Sequence, residues 1–104
     1  MKVRRYDKLL RARGYMSLIK NEYQGTDIYM KVHATNEIVC RVEKDSHGKA
    51  QTMTFEINQY KKPTDFEQFK KSEFDREYLW REANKIHECF EQLKQMKSPK
   101  HVYF

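Results

Sequence analysis

Alternation fixes the centre of this chain. In DIYMKVHA, residues 27–34, Ile28, Met30 and Val32 alternate with Tyr29, Lys31 and His33. In IVCRVEK, residues 38–44, Ile38, Cys40 and Val42 alternate with Val39 and Arg41, and in QTMTFEI, residues 51–57, Met53, Phe55 and Ile57 stand opposite Thr52, Thr54 and Glu56. A period of two belongs to strands with one dry face and one wet face. Short turns separate them, TNE and then DSHGK, so the three predict an antiparallel meander with one apolar face. The preceding YMSLIKNEY, closed by QGTD, is a candidate fourth strand, although Met16, Leu18 and Ile19 do not alternate cleanly.

Register decides which residues that meander exposes, because a slip of one residue exchanges the faces. A three-residue loop of Thr35, Asn36 and Glu37 sets Ala34 against Ile38, Val32 against Cys40 and Met30 against Val42. Apolar then meets apolar along the ladder. A two-residue loop would instead set Met30 against Arg41, so the three-residue loop is preferred. The preferred pairing places Lys31 opposite Arg41 on the wet face, a like-charge contact that points to a nearby anion.

Two helical patterns flank the strands. Tyr6, Leu9, Leu10 and Arg13 recur at helical spacing, Arg4, Lys8 and Arg11 follow another side, and Gly14 supplies a stop. This short helix is too brief to persist alone and must lean on the rest of the fold. At the other end, SEFDREYLWREANKIHECFEQLKQM carries Leu79, Ala83, Ile86, Phe90 and Leu93 at steps of 4, 3, 4 and 3, the stripe of a long amphipathic helix. Ser72 with Asp75 reads as its cap. Between meander and helix, NQYKKPTDFEQFKK reads as a polar connector whose Pro63 and Thr64 start a brief turn that carries Phe66 and Phe69 to the core. The expected class is therefore α+β: a small antiparallel meander of three to four strands against one long C-terminal helix, with a short basic N-terminal helix. At 104 residues one domain is expected, divided as 1–14 helix, 15–57 meander, 58–71 connector, 72–97 helix and 98–104 tail.

Charge is uneven. Residues 1–14 hold six basic side chains against Asp7 alone, a net of +5, whereas residues 15–93 sum to −2 and the last eleven add three lysines. The 13% of aromatic residues argues for folding despite 35% charged residues. No apolar run approaches a membrane span, and no signal peptide opens the chain, so a soluble, cytoplasmic protein is expected. Cys40 and Cys89 sit in apolar surroundings and are expected to be reduced.

Catalytic signatures are weak. His33, Cys40, His47, His87, Cys89 and His101 lack the close pairs that zinc uses, so no metal site is expected. Cys89 and His87, two apart on a helix, point in different directions, and three glycines write no phosphate loop. The expectation is a non-catalytic protein without cofactor. Its leading reading is binding to nucleic acid or a nucleoprotein complex, with Arg4, Arg5, Lys8, Arg11 and Arg13 on phosphates and Tyr29, Lys31 and Arg41 as a basic, aromatic sheet face. The second reading is a small antagonist or adaptor, of the phage or mobile-element kind, that docks on a host or defence protein and blocks it. Trp80 and His87 would then carry the contact, beside Glu73, Glu77, Glu88 and Glu91.

Overall fold

The computed structural model describes residues 3–21 and 25–95, with the side chains of residues 3 and 4 outside the described set. The chain runs α1 (Val3–Ala12), β1 (Met16–Ile19), β2 (Gly25–His33), β3 (Asn36–Lys44), β4 (Ala50–Gln59) and α2 (Phe66–Gln95). The strands form one antiparallel sheet in sequence order, β1-β2-β3-β4. This is an α+β fold, and both helices lie on the same face of the sheet. Tyr6 and Leu10 of α1 share one core with Tyr29, Ile38, Cys40, Val42, Met53 and Ile57 of the sheet and Leu79, Ala83, Ile86 and Phe90 of α2.

Local chemistry sets the helix ends. Gly14, at φ +87°, closes α1: its N–H donates to Arg11 O and the N–H of Tyr15 to Leu10 O, the paired bonds of a Schellman turn that only a left-handed residue completes. α2 begins earlier than Ser72 predicts. Asp65 caps it by accepting the Gln68 N–H at 2.8 Å, while the Gln68 amide oxygen accepts from the N–H and hydroxyl of Thr64. Ser72 lies inside the helix, its carbonyl accepting from Asn36 and its hydroxyl accepting from Gln59. At about 1.5 Å per residue the 30 residues of α2 span roughly 45 Å, longer than the strands beneath. Its first turns therefore overhang, and Phe66 and Phe69, expected in the core, are 67% and 51% exposed.

The β2–β3 hairpin corrects the expected register. His33 pairs with Asn36, Lys31 with Ile38, Tyr29 with Cys40 and Ile28 with Arg41, leaving the two-residue turn Ala34-Thr35. Three residues separate this pairing from the expected one, an odd number, so β2 presents the opposite face. Asp27, Tyr29, Lys31 and His33 look toward the helices; Ile28, Met30 and Val32 look away. Ala34 adopts φ +55°, strained for a residue with a Cβ, and tertiary bonds hold it there. Tyr60 donates its hydroxyl to Ala34 O at 2.6 Å and its N–H to Thr35 O, and Thr35 bonds Ser72. The fourth strand exists as β1, and a bulge between Ser17 and Ile19 explains its irregular alternation.

Under α1 the core is polar. Asp27 and the Lys44 ammonium, both side chains fully buried, lie 3.2 Å apart. Asp27 also accepts from the Tyr6 hydroxyl and from the Asn21 N–H at 2.7 Å, and Lys44 donates to Asn21 O. Beside this cluster Tyr29 donates to Asp7 at 2.6 Å. Burial raises the pKa of Asp7, but hydrogen bonds from Tyr29, Lys20 and Arg11 outweigh it and hold the carboxyl below its ordinary value.

Burial, reinforced by neighbouring carboxylates, raises the phenols of Tyr6, Tyr15 and Tyr29 far above their ordinary 10.0. A group whose folded pKa is raised contributes stability that is present below pH 10 and is lost as pH climbs beyond it. In an absorbance titration, three of the seven tyrosines should ionise only as the chain unfolds. Seven reversible ionisations near pH 10 with unchanged circular dichroism would contradict this packing. Cys40, buried in the same core, has its thiol pushed up to about 12, and neither it nor Cys89 is in a disulfide.

Candidate functional site

The flipped register creates the most distinctive surface of the molecule. Among the described residues no element covers the second face of the sheet. Across it the register aligns Met16, Met30 and Val39 in one row and Ile19, Ile28 and Arg41 in the next, with Val32 beside Glu37. Met16, Ile19 and Val32 are 49 to 57% exposed, and Ile28, Met30 and Val39 are half-buried. The result is a continuous aliphatic patch over β1, β2 and the near side of β3. Toward β4 the same face turns acidic, with Glu37, Glu43 and Glu56 against Arg41. Arg41 reaches Glu56 at 3.3 Å in the open, an arrangement worth about 0–1 kcal/mol.

The basic, aromatic sheet face expected from the sequence is not assembled. Tyr29 is 0% exposed under α1. Lys31 turns inward to Glu82 of α2 at 2.8 Å, with its ammonium 5.8 Å from the Tyr15 ring. Arg41 stays outside, alone on the opposite face. The like-charge contact of Lys31 with Arg41 therefore vanishes: their side chains lie on different sides of the sheet.

α1 keeps part of its cationic face. Arg5, Lys8 and Arg13 are exposed, with no carboxylate at ion-pair distance among the described residues. Arg11 is engaged by Asp7 at 3.0 Å, and Lys20 of the following segment approaches the same carboxylate at 3.1 Å. The Arg4 side chain lies outside the described residues, as does the tail 98–104. Because Tyr6 and Leu10 face the core, the side bearing Arg5 and Lys8 is held outward.

The flanks of α2 differ. On the β2 side Tyr78 stacks on His33 with ring centres 5.2 Å apart, and His33 Nε2 lies 3.5 Å from Asp75. On the β4 side, seven-residue steps align Trp80, His87 and Lys94, and Lys94 donates to Gln51 O of β4 at 2.6 Å. Trp80 is 40% exposed there and His87 lies half-buried near Glu91. Both residues expected at a protein contact are thus accessible on one flank.

Ser72, Asp75 and His33 gather at the hairpin end, near a cleft of about 330 Å³ lined by Thr35, Lys61, Gln68 and Lys71. The Ser72 hydroxyl bonds Gln59 and Thr35, so His33 and Asp75 pair with each other without engaging that oxygen. Among the described residues no three His, Cys, Asp or Glu side chains converge as a metal cage, and no helix is long and apolar enough to cross a membrane.

No family model, curated protein or solved structure matches the chain, so function has to be read from the surfaces themselves. Sequence reasoning missed Ile28, Met30 and Val32 as surface residues. No local signal marked them: Lys31 and His33 face inward because Glu82 and Asp75 of α2 meet them there, partners that only the folded chain brings near.

Proposed function

We propose that this chain is a non-catalytic binding protein whose principal contact is with another protein, seated on the open face of the sheet. The observation that carries this reading is the aliphatic patch of Met16, Ile19, Ile28, Met30, Val32 and Val39 on a face that no element covers among the described residues. Contiguous apolar surface of this kind is costly to leave in water and marks contact sites. The acidic border of Glu37, Glu43 and Glu56 selects a partner with an apolar centre and a basic margin.

A second reading, binding to nucleic acid or a nucleoprotein complex, is favoured by the exposed Arg5, Lys8 and Arg13. Three phosphate contacts would give log K a slope against log salt of about −3 on duplex DNA. Capture from cell extract discriminates the two. With protein docking, the captured species survives nuclease, is lost with Ile28→Asp/Met30→Asp and persists with Arg5→Glu/Lys8→Glu. Retention by a folded Ile28→Asp/Met30→Asp variant would overturn the patch as the contact. Loss on nuclease treatment and with Arg5→Glu/Lys8→Glu would transfer the role to α1.

A further inference from the structure

The two edges of the sheet are treated differently. β1 has four residues and a bulge, both features that discourage pairing with another strand. β4 is the other edge, and it has ten residues. Its sequence AQTMTFEINQ contains one charge, Glu56, and no proline or lysine. After the irregularity near its start, Thr52–Gln59 pairs regularly with β3, so a long regular edge of alternate N–H and C=O groups faces outward among the described residues. Its β-branched and aromatic residues suit further pairing.

We infer that β4 pairs antiparallel with β4 of a second copy, joining two four-stranded sheets into one of eight strands. The strand is self-complementary about a two-fold axis. With Phe55 of one copy opposite Phe55 of the other, Met53 meets Ile57 and Thr54 meets Glu56. One step away, Thr54 meets Thr54, Met53 meets Phe55 and Thr52 meets Glu56. In the first register every inward apolar residue opposes another, in the second Met53 and Phe55 do so while Ile57 faces Gln51, and in both Glu56 meets a threonine hydroxyl instead of a like charge. Such a closed two-fold contact is the commonest form of assembly.

An edge pairing of eight residues alone falls short of the about 1,200 Å² that a specific interface buries. α2 supplies the rest. It packs closer to β4 than to any other strand, and the flank carrying Phe69, Trp80 and His87 is the one on the β4 side. The two-fold axis brings that flank of one copy beside the same flank of the other near its middle, covering the Trp80 side chain that the single chain leaves 40% exposed. The open aliphatic faces of both copies remain on one side of the joined sheet.

The test is sedimentation equilibrium of the full chain, with emission of Trp80, its one tryptophan, as a second readout. The expected mass is twice 12.8 kDa, with Trp80 emission shifting to the blue as concentration rises. Thr54→Lys/Glu56→Lys puts like charges against each other in either register while both side chains stay exposed in the single chain. It should halve the mass, abolish the shift and keep the far-ultraviolet circular dichroism. A wild-type mass of 12.8 kDa at every concentration overturns the inference, as does a double variant that stays dimeric, which places the interface elsewhere. A chain shortened after Gln95 that dimerises when the full chain does not would assign the edge to the tail and equally overturn it.

Discussion

Asp27→Ala should destabilise the fold by about 3–5 kcal/mol, the loss expected when one partner of a buried ion pair is removed and the other charge is stranded. Lys44 has no route to water, since its side chain and that of Asp27 are both fully buried. The substitution also removes the acceptor for the Tyr6 hydroxyl and the Asn21 N–H. For a domain whose total stability is about 5–15 kcal/mol, that loss is a large fraction, read in urea as a lowered midpoint. The pair itself need not stabilise. Asp27→Leu/Lys44→Met should recover most of the loss, because replacing both charges leaves nothing unpaired. A single variant as stable as wild type would show that the cluster is hydrated and α1 loosely held.

Tyr29→Ala should cost about 3–5 kcal/mol, whereas Val32→Lys, three residues along the same strand, should cost about 1 kcal/mol or less. Tyr29 is packed edge-on against Tyr6 at 6.3 Å and donates to Asp7, so truncation opens a cavity and removes one of the three donors to the Asp7 carboxylate. Val32 stands on the open face, where lysine is readily solvated. The contrast tests the register directly, because the opposite pairing of β2 reverses the two magnitudes. Equal costs in thermal or urea unfolding would be incompatible with the observed hairpin.

The missed register has an identifiable cause. Two-residue hairpin turns are announced by Asn-Gly, Asp-Gly or another glycine that accepts positive φ, and here the turn is Ala34-Thr35. Nothing local marks it. Ala34 is held at φ +55° by Tyr60 and, through Thr35, by Ser72, residues 26 and more positions away in the chain. Alternation in β2 was equally ambiguous, since Ile28, Met30 and Val32 on one side and Tyr29 on the other are both fit for a core. Phe66 and Phe69 were misplaced for a related reason: hydrophobicity implies burial only where something lies opposite, and α2 outruns the sheet.

Sequence by itself determined the α+β class, the meander, the inward faces of β3 and β4, the stripe of α2 from Leu79 to Phe90 and the Gly14 stop of α1. Those follow from spacing of 2.0 or 3.6 residues and from short-range turn chemistry, which any chain segment carries within itself. Tertiary structure alone decided which face of β2 is dry, that Tyr29 and Lys31 leave the surface, and that an aliphatic sheet face stays open. The reason is that inward placement of Asp27, Lys31 and His33 becomes favourable only with Lys44, Glu82 and Asp75 beside them, partners brought there by the fold from 17 to 51 positions away.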